Sequence, residues 1–295
     1  MTLIGILVAL LCERLLGHLP GWGEPTLFRS YVRTLHRLLP MPALWRGALA
    51  IPIVLAPPVA VTGWLSGTIE HPLVEPVLSA VILLLCLGPR DLADDVKQWL
   101  DARAAGDRAT AERLARTLQQ GPGRYSEHDV PEARGLLGAL FIQSHERLFG
   151  VLLWFAVGGV TGAVFYRLVS RLPRLLVEQD EDSPAADAAE TLHALAAWIP
   201  ARVTALLFGL AGSLDDAIKE WRLLLSRPAH GWRRHTWAVL AETASGSLEF
   251  ETEDGATEVP ATLELAVKEV LAIQMRALLI LLAFIAAAVT GDWLG

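Results

Sequence analysis

The stretch that decides the fold runs from Phe141 to Leu168 and reads FIQSHERLFGVLLWFAVGGVTGAVFYRL. Charge stands at both ends of this stretch, at Glu146-Arg147 and at Arg167. Between them, Leu148 to Tyr166 gives 19 residues without a charged side chain. At about 1.5 Å per residue, a helix of that length spans the hydrocarbon core of a bilayer. The stretch therefore predicts a membrane helix with a glutamate and arginines at its ends.

The two charged ends of this helix can meet only if the helix is interrupted. If it is straight, Glu146 and Arg167 lie about 31 Å apart. Both then line one pocket only if Gly158-Gly159 breaks or bends the helix, because glycine adopts backbone conformations that other residues avoid. Without a break, the two charges belong to different faces of the membrane.

The composition of the whole chain is that of an integral membrane protein. Of its 295 residues, 53% are hydrophobic and 19% are charged, and the mean hydropathy is +0.41. Soluble domains average about 25% charged residues. The net charge of −7 gives no reason to expect a nucleic-acid partner, which needs a clustered basic face. We expect the lipid bilayer as a partner, and we expect Cys12 and Cys86, which lie inside apolar runs, to be buried thiols.

The apolar stretches predict an all-α fold, that of a polytopic helical membrane protein with cytoplasmic helical hairpin insertions. Residues 1–295 are predicted to form a single membrane-embedded domain. The predicted membrane segments are 1–19, 47–65, 71–89, 148–168, 195–214 and 271–290, of which 195–214 spans the membrane or re-enters it. The predicted soluble helical sections are 90–146 and 215–268, and their Lys and Arg content assigns them to the cytoplasm by the positive-inside rule.

Local signals refine this outline. Gly21 to Arg46 carries four arginines in a helical pattern, which predicts a basic amphipathic helix on the membrane. Prolines in segment 47–65 predict a bent helix whose freed carbonyls are covered by neighbouring helices. Gly106-Asp107 predicts a helix stop followed by an N-cap. Gly246 to Pro260 predicts an acidic loop or a short hairpin, and His193 is predicted to be a helix-surface histidine.

Charged residues at the ends of apolar helices, or inside them, form the candidate ligand-binding site. They are Glu13, Arg14, Arg124, Glu146, Arg147, Arg167 and Arg202. The pattern E-R-L-[LF]-G occurs at 13–17 and again at 146–150, which favours a shared role. The alternative is that each side chain extends to the lipid headgroups and pairs structurally.

The established catalytic patterns are missing from the sequence. Phe149 stands where H-E-x-x-H would need a second histidine after His145-Glu146. No G-x-S-x-G and no G-x-x-x-x-G-K-[ST] occurs, and the eight histidines show no metal-ligand spacing. The residues alone therefore predict no catalytic side chain, no metal site and no cofactor.

Several motifs resemble those of the AmpE-type inner-membrane proteins and, more distantly, of the CobD/CbiB-type adenosylcobinamide-phosphate synthases. The matching pieces occur in family order along most of the chain. They are Glu13-Arg14-Leu15-Leu16-Gly17, Arg90-Asp91-Leu92-Ala93, Gly106-Asp107, Gly123-Arg124, Glu146-Arg147 through Trp154-Phe155, Gly162-Ala163-Val164-Phe165-Tyr166-Arg167 and Trp198-Ile199-Pro200-Ala201-Arg202. The resemblance adds Tyr166 and Trp198 to the candidate ligand-binding residues. It also implies that the protein is a multi-pass protein of the bacterial inner (cytoplasmic) membrane.

The chain departs from the synthase pattern at positions where the synthases carry acids. Tyr125, Phe149, Leu168–Arg171 and His193-Ala194 stand at these positions. Joining a carboxylate to an amine with ATP needs acids that hold Mg²⁺. Because the chain keeps the arginines and lacks most of these acids, the resemblance implies that an anion is bound without being turned over.

Three functions follow as expectations. The resemblance implies an AmpE-like signalling protein that modulates β-lactamase induction, with a nucleotide, a phosphorylated intermediate or a cell-wall fragment as the anionic ligand. The alternative is a membrane-bound, ATP-dependent amide-forming enzyme resembling the synthases, and only this alternative requires Mg²⁺ or a nucleotide. A second alternative is a transporter, which kinked helices and intramembrane charge favour, although the short E-R-L repeat is the extent of any internal symmetry. The oligomeric state is not predicted.

Overall fold

The computed structural model describes residues 2–16, 26–69, 71, 74–87, 92–119, 132–178, 183–226, 231–248, 250–251, 257–258 and 263–291. Within this part the chain is all-α, as predicted, apart from one pair of two-residue strands. The helices of the first half are α1 (Thr2–Leu16), α2 (Thr26–Leu38), α3 (Pro42–Arg46), α4 (Ala50–Thr68), α5 (Val74–Leu87), α6 (Leu92–Ala104), α7 (Arg108–Gln119) and α8 (Glu132–Ser144). A π-helical turn, His145–Phe149, follows. The remaining elements are α9 (Gly150–Val177), α10 (Pro184–Ala211), α11 (Leu214–Ser226), α12 (Trp232–Gly246), β1 (Phe250–Glu251), β2 (Thr257–Glu258) and α13 (Leu263–Thr290).

Five segments are long and apolar enough to cross a membrane, judged by length and composition, and one of them, Val74–Ala104, includes residues 88–91, which lie outside the described ranges. They are Ala50–Thr68, Val74–Ala104, Gly135–Val177, Pro184–Ala211 and Leu263–Thr290. Large apolar side chains on these runs are exposed, among them Val157, Leu195 and Ile199. Lipid tails accommodate such side chains, whereas water does not. The predicted polytopic helical membrane protein is confirmed, and the exposed apolar faces fit a lipid bilayer.

The chain divides into two compact units. The first comprises Met1–Arg90, Val151–Ala196 and Leu294–Gly295, and the second comprises Asp91–Gly150 and Ala197–Trp293. Helix α1, with 15 residues, packs along α5 in the first unit and is shorter than the five long runs. The single embedded domain, the exact membrane segments and the two soluble sections stay predictions.

In the first unit, a neighbouring helix covers a carbonyl that a proline leaves open. Pro58 has no N–H to donate to the Val54 carbonyl four residues earlier. The Tyr31 hydroxyl of α2 donates to this oxygen at 3.0 Å. An unsatisfied carbonyl at membrane depth costs several kcal/mol. The hydrogen bond from Tyr31 therefore compensates for the N–H that Pro58 lacks. The predicted covering of freed carbonyls is confirmed at Val54.

Helix α9 is broken at Gly159. A break here is what Glu146 and Arg167 would require if both were to line one pocket. Gly159 has φ 58° and ψ −149°, a conformation that is essentially restricted to glycine. Gly162 then approaches the Trp154 carbonyl oxygen so closely that an added Cβ would overlap it. The Trp154 and Phe165 rings lie 5.1 Å apart, although in a straight helix these residues would be about 16 Å apart along the axis. The chain therefore folds back here, and we call residues 154–166 the Gly-turn.

In the second unit, α6 and α7 form the predicted helical hairpin. Gly106 has φ 74° after the end of α6, and the Asp107 carboxylate accepts a hydrogen bond from the Thr110 backbone N–H at 3.1 Å. The hydrogen bonds from Thr110 hold the pKa of Asp107 below its ordinary value. The helix stop and the N-cap predicted at Gly106-Asp107 are both confirmed.

The rest of the second unit is built around α8. This helix packs against α7, α12 and α13, and α11 packs against α12. Strands β1 and β2 pair antiparallel, with Phe250 opposite Glu258. Of the two predictions for this acidic segment, the short hairpin is the one observed.

Candidate functional site

The predicted glutamate-arginine pair lies in the π-helical turn, which we call the π-turn. The Gly150 N–H donates to the carbonyl of His145, five residues earlier, so one residue more than in an α-helix fits into this turn. His145, Glu146 and Phe149 are all buried here. Single π-turns inside α-helices are frequent at functional sites, because the extra residue changes the direction in which side chains point.

Arg147 is the centre of a polar network in the second unit. Its guanidinium donates to Asp95 Oδ2 at 3.0 Å and to Gln143 Oε1 at 2.6 Å. The Gln143 side-chain amide in turn donates to the carbonyl of Leu118, near the end of α7. The network therefore joins α6, α7 and the π-turn, and it satisfies the nearly buried carboxylate of Asp95 with a charged partner.

His145 makes a defined hydrogen bond with Thr204 of α10. The His145 Nδ1 and Thr204 Oγ1 atoms lie 2.9 Å apart. The single hydroxyl proton of Thr204 is donated to the Pro200 carbonyl at 2.8 Å. A threonine hydroxyl that donates to this carbonyl can only accept from the histidine, so this arrangement corresponds to the tautomer with a proton on Nδ1 of His145. A fully buried imidazole thus has a fixed orientation next to Glu146 in the chain.

Arg202 and Trp198 lie together on α10. The guanidinium carbon of Arg202 lies 4.1 Å from the centre of the Trp198 ring, and Nη1 donates to the Trp198 carbonyl at 2.8 Å. Burial, together with the positive charge of Arg202, lowers the pKa of His235 on α12 below its ordinary value. The Arg202 guanidinium is thus held against Trp198 and partly exposed, and its charge acts on His235 of α12.

Tyr166 and Arg167 lie in the first unit, at the end of the Gly-turn. Tyr166 is fully buried, stacked on Trp154 at 6.5 Å and edge-on to His193 at 6.1 Å. Arg167 donates to the carbonyl of Leu87, the last residue of α5, at 2.9 Å. A cation at a helix C-terminus is favoured by the helix dipole, so Arg167 caps α5.

The segment Trp198–Arg202, with the sequence Trp-Ile-Pro-Ala-Arg, contains a proline whose effect on the helix is compensated by a neighbouring side chain. Pro200 has no N–H for the carbonyl of Ala196, and the Trp154 indole N–H donates to this carbonyl at 3.0 Å. This is the same arrangement as at Val54, where Tyr31 covers a carbonyl that Pro58 leaves open. The bond between Trp154 and Ala196 therefore joins the Gly-turn to the part of α10 that belongs to the first unit.

The structure distributes the predicted site residues between the two units. Glu146, Arg147, Trp198 and Arg202 belong to the second unit, whereas Tyr166 and Arg167 belong to the first. Arg124 and the side chains of Glu13 and Arg14 lie outside the described residues. The break that a shared pocket requires is present at Gly159, and the shared pocket itself stays a prediction.

Sequence reasoning missed several polar residues at these positions. They are Asp95, Gln143, His145, Thr204, Trp154 and His193. The prediction for His193 is wrong, because this side chain is only 2% exposed and packs against Tyr166. For Asp95 a signal was present, since it shares a helical stripe with the buried residues Leu92 and Trp99.

The donor set of the described residues does not fit a metal ion held by the protein alone. Among them, no three His, Cys, Asp or Glu side chains lie close enough together to bind one. Mg²⁺ prefers several oxygen ligands and often takes part of them from substrate phosphates. The described residues thus provide no magnesium cage of their own.

Fold and site together define a class: a polytopic all-α membrane protein with buried charged side chains beside two helix interruptions. The family model described as "CobD/Cbib protein" matches residues 6–247. The cobalamin biosynthesis protein CobD of Chromobacterium violaceum is 30% identical over 260 residues, which cover 84% of this chain and 80% of that protein. Proteins of the same name are 30% identical over 163 residues in Geobacter metallireducens, with 54% of this chain and 51% of theirs covered, and 26% identical over 167 residues in Stutzerimonas stutzeri, with 56% and 54% covered. No solved structure matches the chain at a significant level.

The chain belongs to the CobD/CbiB family. The family model covers most of the sequence and includes the π-turn, the Gly-turn and the segment Trp198–Arg202. The family resemblance drawn from the sequence motifs is confirmed.

Proposed function

We propose that this protein is a membrane-bound, amide-forming enzyme of cobalamin biosynthesis, similar in type to the adenosylcobinamide-phosphate synthases and located in the bacterial cytoplasmic membrane. The observation that carries the proposal is the extent of the similarity to the Chromobacterium violaceum CobD, which covers 84% of this chain and 80% of that protein. A similarity of that extent goes beyond shared hydrophobic helices. It ranks the synthase alternative above the AmpE-like signalling function.

In this proposal an arginine and a glutamate have different roles. In ATP-dependent amide formation a phosphoryl group from ATP activates the carboxylate, and the amine nitrogen then displaces the phosphorylated oxygen as phosphate. ATP, phosphorylated substrates and carboxylates are all anionic. Guanidinium groups bind such anions with two parallel hydrogen bonds, and the partly exposed Arg202, which belongs to the same unit as Glu146, is the candidate for this role. Glu146, buried in the π-turn, is the candidate base for the proton that the amine nitrogen loses when the amide bond forms.

The residues that the structure describes offer no complete set of protein ligands for a magnesium ion. The described residues hold no group of three metal-binding side chains, and the family's acids are replaced at Phe149 and His193. The described part of the chain therefore leaves the coordination of any Mg²⁺ that accompanies ATP to phosphate and water oxygens and to residues outside the described ranges.

Complementation tests the proposal directly. The full chain is expressed in a bacterial strain that lacks its own adenosylcobinamide-phosphate synthase, and cobalamin-dependent growth is measured. We expect growth to be restored, and we expect Glu146→Gln to reduce amide formation in isolated membranes about 10²- to 10⁴-fold. Glu178→Gln is the matched control, because Glu178 is an exposed glutamate paired with Arg29 and lies outside the candidate site. Failure of the wild-type chain to restore growth, although it is inserted in the membrane, contradicts the proposal.

The AmpE-like function is a second candidate, and one structural observation favours it. The resemblance to the synthases implies acids at positions 149 and 193, and here both positions hold buried rings. Phe149 packs against Phe208 at 5.1 Å, and His193 packs against Tyr166. These rings belong to the core, so the acids have been replaced by packing groups.

Loss of the gene distinguishes this second candidate from the first. If the protein modulates β-lactamase induction by binding an anion, its deletion changes the induced β-lactamase level, and Arg202→Ala reproduces the effect. A cobalamin requirement appears in neither strain. The opposite pattern, with a cobalamin requirement and normal induction, supports the enzyme.

A further inference from the structure

Helix α2 presents a row of arginines on one face. Arg29, Arg33 and Arg37 are spaced four residues apart, so they lie on the same side of the helix, and all three are exposed. Val32, on the other side, is fully buried, and Tyr31 is half-buried. The helix is therefore strongly amphipathic, with its apolar side on the protein and its basic side outward.

The contacts of α2 place it at one end of a membrane-length helix. Tyr31 donates to the carbonyl of Val54, four residues after the start of α4 at Ala50. Four residues correspond to about 6 Å along a helix, so the contact lies close to the helix end. An amphipathic helix held at this level lies where lipid headgroups meet the hydrocarbon region.

Aromatic residues also hold the C-terminal end of α2 in place. The Trp45 indole N–H donates to the Leu39 carbonyl at 2.8 Å, and the Trp45 ring stacks on His36 with ring centres 3.6 Å apart. Tyrosine and tryptophan are enriched at the same membrane–water boundary. The middle of α2, at Tyr31, and its C-terminal end, at His36 and Leu39, are thus held by aromatic residues typical of this boundary.

The charges on the exposed face are only partly compensated. The Arg29 guanidinium lies 3.2 Å from a carboxylate oxygen of Glu178. Arg33 and Arg37 form no hydrogen bond or ion pair with any residue that the structure describes. Two positive charges therefore face outward at the level of the headgroups.

We propose that this face of α2, defined by Arg33 and Arg37 with Arg29 beside them, binds the phosphate headgroups of anionic phospholipids. A guanidinium matches the geometry of a phosphate with two parallel hydrogen bonds. The flat, exposed row at headgroup depth suits a lipid surface, whereas a soluble anion would need an enclosed pocket. Bound lipid would fix the position of α2 and, through Tyr31, the proline-containing helix α4.

A lipid-binding titration with the full-length protein tests this proposal. The protein is purified in a neutral detergent, and the retention of phosphatidylglycerol and phosphatidylcholine is compared by native mass spectrometry. We expect selective retention of phosphatidylglycerol and about 30-fold weaker binding by the variant R33Q/R37Q, because each arginine near an anionic surface contributes about 1 kcal/mol. Binding is also expected to weaken as salt is added.

Matched variants separate the lipid site from general charge effects. R108Q/R116Q removes two exposed arginines from α7 and is expected to bind like the wild type. R33K/R37K keeps the charge and is expected to retain most of the selectivity. All three variants are expected to keep the wild-type melting temperature, since the altered side chains are exposed.

Three results would overturn the proposal. One is equal retention of the two lipids, and another is wild-type affinity in R33Q/R37Q. The third is displacement of bound phosphatidylglycerol by low concentrations of inorganic phosphate, which would assign the arginines to a soluble anion.

Discussion

The run Gly135–Val177 contains two interruptions, and they are built in opposite ways. The Gly-turn depends on missing side chains, because Gly159 takes a conformation that other residues avoid and Gly162 lets the backbone of Trp154 approach. The π-turn depends on side chains that are present, since Arg147 binds Asp95 and Gln143 and His145 binds Thr204 from within the turn. The Gly-turn reverses the direction of the chain, and the π-turn directs polar side chains into the protein interior. Only the Gly-turn has a signal in the sequence next to it, the glycine pair Gly158-Gly159.

The largest effect is expected at Gly162. In Gly162→Ala the new Cβ overlaps the Trp154 carbonyl oxygen, which is backbone and cannot rotate away. We expect a loss of about 3 kcal/mol or more in the free energy of unfolding, measured by thermal unfolding in detergent. Gly158→Ala is the control, because no atom lies within 4 Å of its added Cβ. A similar loss in both variants would show that Gly162 does not make this close approach.

A somewhat smaller effect is expected at Gly159. Alanine is strained at φ 58° and ψ −149°, even though no neighbour crowds this position. We expect Gly159→Ala to cost about 1–3 kcal/mol. The same unfolding assay measures it, again with Gly158→Ala as the reference. An unchanged melting temperature would mean that the helix is not broken at this residue.

On the side of the π-turn, the test is Asp95→Asn. The amide keeps the shape of the side chain but removes the charge that Arg147 binds at 3.0 Å. We expect a loss of about 2 kcal/mol, because one partner of a largely buried pair is left without its counter-charge. Asp94→Asn, the adjacent acid on the same helix, is expected to change the stability by less than about 0.5 kcal/mol. Equal effects of the two substitutions would argue against the polar network.

The bond between Trp154 and Ala196 can be tested by a double-mutant cycle. Trp154→Phe keeps most of the ring but leaves the Ala196 carbonyl without its donor, which costs about 1 kcal/mol. Pro200→Ala restores an N–H for that carbonyl, so the same substitution costs less in this background. Tyr31→Phe and Pro58→Ala form the equivalent cycle at Val54. If the effects simply add in both cycles, the aromatic donors do not compensate for the prolines.

The contrast between the two interruptions also explains what the sequence could predict. Gly158-Gly159 indicated where the helix would have to break for a shared pocket, Gly106-Asp107 predicted a stop and a cap, and the prolines predicted carbonyls that need donors. Each of these signals acts within about one helical turn. The π-turn has no local signal, because its extra residue is stabilised by Asp95 and Thr204, which are distant in sequence. For the same reason His193 was predicted to lie at the surface, although Tyr166 covers it.

The smallest expected effect is on the pH dependence of the protein's stability, through His235 and its neighbour Arg202. The pKa of His235 is below its ordinary value, through burial and then through the charge of Arg202, while Glu242 acts in the opposite direction. The folded state therefore favours the neutral imidazole. The resulting stabilisation is fully present above about pH 6.5, the ordinary pKa of histidine. It is lost as the pH falls below that value, because the imidazole then binds a proton more readily in the unfolded chain. Arg202→Gln removes the cation, raises the pKa of His235 and makes this loss shallower, whereas Glu242→Gln lowers the pKa and makes it steeper. The slope of the melting temperature against pH, measured between about pH 8 and about pH 5, distinguishes the two variants from the wild type. Slopes that change in the same direction in both variants would show that the field of Arg202 does not reach His235.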